Sequence, residues 1–214
     1  MQGDAPVDPA VGKPFVIAIA GGSGSGKTVL AHSLVSVLSS PASVMLAQDS
    51  YYRSLPDEYR SCPNAYNFDH PEALEWDLLA HHLDALRRAE TAEIPRYSFV
   101  THQRIGTEVL TSAPFVILEG TLILHDPRLV ERVDLRIFLE IDPDIRLLRR
   151  IARDTRERGR SVESVLEQYT KTVKPMYDLY VAPQKQKADL VLREGSVEEW
   201  TRAVLARVET SRKI

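Results

Sequence analysis

One run of residues, Gly21-Gly22-Ser23-Gly24-Ser25-Gly26-Lys27-Thr28, restricts the fold of this chain more than any other. It follows the apolar segment 15–20 and precedes a segment, 27–38, with apolar residues at helical spacing. Strand, glycine loop and helix therefore occur in one continuous piece. Glycines let the backbone curl so that successive N–H groups point inward, and the start of the next helix adds its partial positive charge. Lys27 can reach the outer phosphates of a bound nucleotide, and the Thr28 hydroxyl can ligate Mg²⁺. The pattern implies nucleoside triphosphate binding. A flexible linker does not sit between a buried strand and an amphipathic helix, and no Gly-x-Gly-x-x-Gly can be placed here, which excludes a dinucleotide fingerprint.

The chain has 214 residues, 43% of them hydrophobic, enough for one substantial core. We expect a mobile tail over residues 1–13 and a single domain over 14–214. The formal net charge of -3 gives no broad electrostatic footprint for nucleic acid or an anionic membrane, so an anionic ligand has to be held by local clusters. The single cysteine, Cys62, excludes an intrachain disulfide and suits a reducing compartment. Residues 1–14 lack the pattern of a signal peptide, and no apolar run is long enough to span a bilayer, so cytoplasmic residence is expected.

Short runs rich in Val, Ile, Leu and Phe at 15–20, 44–47, 115–118, 135–140 and 189–192 read as buried strands. Helical spacing covers 27–38, 71–89, 143–156, 162–180 and 197–208, with Pro71 and Pro143 where a first turn tolerates proline. The alternation predicts an α/β fold of the P-loop kinase type, with a central five-stranded parallel sheet flanked by helices. Ligands of such sheets sit at the carboxyl ends of the strands. Segment 94–111 departs from this rhythm: two extended stretches, 94–100 and 107–110, flank a Gly-containing turn and read as an inserted β-hairpin, spanning 93–112 with its flanks, suited to binding an acceptor.

Several groups of residues carry chemistry. Asp49 follows the second strand and is the candidate general base for phosphoryl transfer, which needs an acceptor oxygen held in line, a carboxylate to take its proton and cations to absorb charge. A turn aspartate would look the same. Glu119 closes the third strand and is placed to hold Mg²⁺, although any buried strand can end in a polar residue. Seven arginines, Arg146, Arg149, Arg150, Arg153, Arg156, Arg158 and Arg160, crowd the segment leading into a helix end. Of these, Arg153, Arg158 and Arg160 suit a mobile lid over 153–161 that closes on triphosphate, whereas Arg146, Arg149 and Arg156 read as a solvated helix face. Asp69 either caps a helix or accepts two hydrogen bonds from a sugar diol. Tyr97, Phe99 and His102, in the hairpin, suit stacking and hydrogen bonding to a base. His32, His81, His82 and His125 have no metal-ligand spacing.

Taken together, the residues resemble the uridine kinase (uridine-cytidine kinase) family of P-loop kinases. The likeness runs through the glycine loop, Gln48-Asp49-Ser50-Tyr51-Tyr52, Asn67-Phe68-Asp69-His70-Pro71, Tyr97-Ser98-Phe99 with His102 and Arg104, Leu118-Glu119-Gly120 and Arg153-Asp154 with Glu157-Arg158-Gly159-Arg160. It continues through Gln168-Tyr169, Val173-Lys174-Pro175-Met176 and residues 183–189. The resemblance implies transfer of a phosphoryl group from ATP or GTP, with Mg²⁺, to the 5′-hydroxyl of uridine or cytidine. It implies that Asp49 is the base, that Thr28, Asp49 and Glu119 serve the metal, and that Asp69, Arg150 and Gln168 hold the ribose hydroxyls. Tyr52, Phe68, Tyr97, Phe99 and His102 would surround the pyrimidine, and the assembly would be a homotetramer.

Two positions depart from the family pattern. Ser98 stands where an acid is usual in the hairpin, and Thr121 where an aliphatic residue is usual after Glu-Gly. Acceptor identity is therefore open between a pyrimidine nucleoside and the acceptors of phosphoribulokinase- or pantothenate kinase-like enzymes. A non-catalytic nucleotide-binding regulator is the reading from a different class.

Overall fold

The computed structural model describes residues 13–38 and 42–212. Most of the tail expected over residues 1–13 lies outside them.

Five strands form one parallel sheet in the order β2-β5-β1-β6-β7: β1 (Phe15–Gly21), β2 (Ser43–Ala47), β5 (Phe115–Gly120), β6 (Leu135–Leu139) and β7 (Leu190–Leu192). Strand side chains alternate between faces, and both faces of β1 are covered. Val16, Ala18 and Ala20 pack into a core with Leu79, Leu83 and Leu86 of α2 (Trp76–Arg87). Ile17 and Ile19 pack on the other side with Leu30 and Leu34 of α1 (Lys27–Leu38) and with Trp200, Val204 and Val208 of α7 (Val197–Arg212). Double coverage is why these strands read as continuous apolar runs. Register pairs Ala47 and Ile19 with Glu119, and Gly21 with Leu139, so the strands deliver the chain to the same edge of the sheet.

The expected hairpin exists as β3 (Thr91–Ser98) and β4 (Gln103–Thr111), outside the main sheet. Its turn is not at Gly106, which lies within β4. The chain reverses at residues 99–102, where His102 takes a left-handed φ of 53° and Ser98 Oγ accepts the Thr101 N–H at 3.2 Å. The register shifts between Pro95 and Tyr97, where proline cannot donate to the ladder.

The helix expected over 71–89 is shorter. Residues Pro71–Ala73 form a single tight turn, Leu74 bridges Tyr52, and the Glu75 N–H goes to Tyr51 O at 3.0 Å, so α2 starts only at Trp76. A short helix that the sequence pattern did not reveal, α3 (Pro127–Val130), is capped by Asp126, whose Oδ1 accepts the Arg128 N–H at 2.9 Å. Helix α4 (Pro143–Glu157) follows β6 as expected.

The long helix expected over 162–180 is interrupted. It comprises α5 (Val162–Gln168), a wide i→i+5 turn at Tyr169–Val173, the short α6 (Lys174–Met176) and a second wide turn at Tyr177–Val181. Pro175 has no N–H to give to the helix ladder, and widened turns of this kind re-aim side chains at functional sites.

Candidate active site

The glycine loop closes tightly after β1. Ser25 donates its N–H to Gly22 O at 3.1 Å, and Lys27 Nζ folds back to the same carbonyl at 3.1 Å. A Cβ at Gly24, where φ is +79°, would collide with the Arg146 carbonyl, and one at Gly22 would collide with the Arg146 guanidinium. Lys27 is buried, and burial lowers its pKa against the pull of Glu119 and Asp49. The Ser25 hydroxyl is buried without a partner among the described residues. A loop with an orphaned hydroxyl and a desolvated ammonium fits a phosphate group.

Two carboxylates stand beside the loop. Asp49 lies in a tight turn, Gln48–Tyr51, directly after β2, and Ala47 pairs with Glu119 in the ladder. Thr28 donates its hydroxyl to Glu119 Oε1 at 3.2 Å. Burial raises the Glu119 pKa to about 7, with Lys27 pulling it down and Asp49 pushing it up. Among the described residues no group of three His, Cys, Asp or Glu could hold a metal. A hydroxyl and two carboxylates next to an anion loop fit Mg²⁺, which takes few protein ligands and completes its shell with phosphate and water.

A cavity of about 520 Å³ opens from this point. Ser23, Lys27, Thr28, Asp49 and Glu119 line one end, and Tyr52, Phe68, Asp69, Tyr97, Phe99, His102, Arg150 and Gln168 line the rest, with Arg153, Arg158 and Arg160 beside them. Gly21, Gly22, Gly24, Ser25 and Gly26 lie outside this lining. Tyr52 is central to the aromatic wall, with ring centroids 6.0 Å from Phe68, 5.4 Å from Tyr97 and 6.2 Å from Phe99. Phe68 stacks on His102 at 4.8 Å. The Tyr97 hydroxyl and His102 Nδ1 are buried without partners among the described residues, which leaves polar handles on an otherwise apolar wall.

Asp69 does not cap a helix. The residue preceding the Pro71 turn is His70, whose Nδ1 accepts the Glu72 N–H at 3.2 Å. Asp69 instead accepts the Thr172 hydroxyl at 3.0 Å, its pKa raised by burial and held back by Arg150. Arg150 donates to Ser23 Oγ and to Gln168 Oε1, each at 2.8 Å. Gln168 Oε1 also accepts from Arg160. The first wide turn aims Thr172 at the acid.

Sequence reasoning missed what organises the arginines. Asp154 is fully buried, and its carboxylate lies 2.8 Å from Arg153, 3.5 Å from Arg150, 3.7 Å from Arg158 and 4.0 Å from Arg160. The i, i+4 spacing from Arg150 and to Arg158 was the available signal. The Arg158 guanidinium lies 4.4 Å over the Phe99 ring, linking the arginine segment to the hairpin. Arg146 does not belong to a solvated face: it is 1% exposed, donates Nε–H to Ile141 O at 2.9 Å and lies 3.9 Å over the Tyr177 ring. Arg149 and Arg156 are exposed as expected.

The departures have local explanations. Ser98 tightens the hairpin turn, and the Thr121 hydroxyl accepts from Gln48 Nε2 at 3.3 Å.

The model of the phosphoribulokinase/uridine kinase family matches residues 16–200. The chain belongs to that family. A uridine kinase of Deinococcus deserti is 41% identical over 202 residues, covering 93% of this chain and 97% of that one. Uridine kinase-like protein 5 of Arabidopsis thaliana is 43% identical over 184 residues, covering 86% of this chain. The chain spans about 40% of the length of that plant relative. The fold is shared with phosphoribulokinase from Rhodobacter spheroides, at a TM-score of 0.62 and 16% identity, covering 85% of this chain and 70% of that one. The family assignment gives the loop, sheet and helices of a P-loop kinase.

Proposed function

We propose that this phosphoribulokinase/uridine kinase family member transfers the terminal phosphoryl group of ATP or GTP to the 5′-hydroxyl of uridine or cytidine. One observation supports this most: a single cavity joins the loop end, with Lys27, Thr28, Asp49 and Glu119, to an aromatic wall and to the Asp69, Arg150 and Gln168 cluster. Similarity to proteins named uridine kinase over most of the chain supports the acceptor class.

In this reading Tyr52, Phe68, Tyr97, Phe99 and His102 enclose the pyrimidine, and the free Tyr97 hydroxyl and His102 Nδ1 meet its polar edge. Asp69, Arg150 and Gln168 fix the ribose hydroxyls. The 5′-oxygen then faces Asp49, which takes its proton as the new O–P bond forms and the bond to the departing nucleoside diphosphate breaks. Loop amides and Lys27 hold the phosphates. Arg153, Arg158 and Arg160 spread the charge of the transferring group and exclude water. Mg²⁺, held by Thr28 with Asp49 and Glu119, would neutralise phosphate charge. A tetrameric assembly and cytoplasmic location complete the proposal; no described helix is long and apolar enough to cross a membrane.

The test is an acceptor panel with mass detection of product, run with ATP and with GTP. Uridine or cytidine monophosphate is expected. Turnover of ribulose 5-phosphate or pantothenate with both pyrimidine nucleosides inert would refute the assignment.

A further inference from the structure

Arg146 is a buried cation with no carboxylate partner among the described residues. It stands in the first turns of α4 and is 1% exposed. Its described partners are a backbone carbonyl, Ile141 O at 2.9 Å, and the face of Tyr177 at 3.9 Å. Nη2 is buried with no partner among the described residues. The other buried arginine of this helix, Arg150, has Asp154 at 3.5 Å, whereas Arg146 pairs with no carboxylate among the described residues. An uncompensated buried charge is costly unless a counterion arrives.

Its position indicates where that counterion binds. The guanidinium lies against Gly22 and the Arg146 carbonyl lies against Gly24, so a Cβ at either glycine would strike it. Arg146 is also among the charges that depress Lys27, after burial and alongside Arg153. The residue therefore packs directly against the phosphate loop without lining the cavity. The Ser25 hydroxyl of the same loop is likewise buried without a partner among the described residues.

The geometry points to Arg146 as a fixed counter-charge of the triphosphate site: a positioning residue against the loop whose missing anion is the polyphosphate of the bound donor. It rests on the reading of the loop as a triphosphate site and adds to the grip a charge that does not line the cavity. Loop amides and Lys27 face the ligand, and Arg146 adds positive potential through the loop backbone it packs against. Tyr177 holds the guanidinium flat, and the Ile141 carbonyl fixes its tilt.

A charge-based role makes a graded prediction that a packing role does not. In Arg146→Met, affinity for ATP falls about tenfold, for ADP about threefold and for adenosine not at all, because the loss scales with ligand charge. Inorganic triphosphate follows ATP. Arg146→Lys keeps the charge and retains ATP affinity within about threefold of the parent. Calorimetric titrations of the full chain without acceptor read all of these. A uridine-inert enzyme would still show the graded loss, so failure of the acceptor reading and failure of this one are distinguishable. Equal loss for ATP, ADP and adenosine, or no loss, overturns the proposal. If Arg146→Met does not fold, Arg146→Lys decides: retained ATP affinity supports the counter-charge, and a loss beyond about thirtyfold rejects it.

Discussion

Gln48 accepts the backbone N–H of Leu122 on its Oε1 at 2.7 Å, across the end of the sheet. The bond ties the turn carrying Asp49 to the chain that leaves β5 just after Glu119. Gln48 is fully buried, its Nε2 reaches Thr121 Oγ1 at 3.3 Å, and a Cβ at Gly120 would collide with it. Gln184 braces the same loop from the far side, taking the Leu124 N–H at 2.8 Å and donating to Thr121 O at 2.8 Å. Replacing Gln48 by Leu keeps the volume and leaves the Leu122 N–H unpaired, which costs about 1–3 kcal/mol. A lower melting temperature and a lower kcat are expected together. Unchanged kcat at reduced stability would separate the brace from catalysis.

In the proposed role, loss of the Asp49 carboxylate affects chemistry more than it affects the grip on the donor. Asp49→Ala is expected to lower kcat by at least about a hundredfold. Affinity for ATP, measured without acceptor, should stay within about threefold. A rate close to that of the parent enzyme removes Asp49 from its role.

Asp154 holds its place among four guanidinium groups with no exposure to solvent. Asp154→Asn keeps the shape and deletes the negative charge that these cations share. Breaking a buried pair in this way costs about 3–5 kcal/mol, readable in urea denaturation. The arginines that line the cavity lose their common anchor, so KM for the donor should rise. A variant with parental stability and KM would show that the arginines hold their positions without it.

Acid sensitivity is built into the support of the Asp49 turn. His82 is buried, accepts or donates a hydrogen bond with Tyr51 at 2.9 Å, and burial lowers its pKa, with His81 and Arg104 adding to the shift. The folded state therefore resists protonation where the unfolded chain accepts a proton. Stability from the neutral ring is present above the unfolded value of about 6.5 and is lost as pH falls from there through the folded value. Chemical denaturation of wild type and His82→Gln at several pH values checks this. Any stability advantage of His82 over Gln should shrink between about pH 7 and pH 5. An advantage independent of pH would contradict it.

Much of this site can be read from residue order because parallel strands end together. Asp49 and Glu119 are far apart in sequence, yet each follows an apolar run, and pairing of β2 with β5 brings those runs into register. The glycine loop is legible for the same local reason. Arg146 was not, because its helix looks amphipathic and charged, and its cover comes from Tyr177 after the first wide turn. Gly106 was the obvious turn residue, but Ser98 and the left-handed His102 close the hairpin earlier. Pro71 suggested one long helix, whereas the Tyr52–Leu74 bridge pulls the chain straight before α2. At Arg146 and at Pro71 a contact between distant segments overrode a local preference; at the hairpin one local turn replaced another.

The position of the transferred phosphoryl group tests the central claim most directly. Uridine incubated with ATP and Mg²⁺ should give a product whose phosphorus couples to the 5′-protons, with 5′-deoxyuridine inert as an acceptor. Phosphate on the 2′- or 3′-oxygen, or ATP consumed with no nucleotide product from any pyrimidine nucleoside, would contradict it.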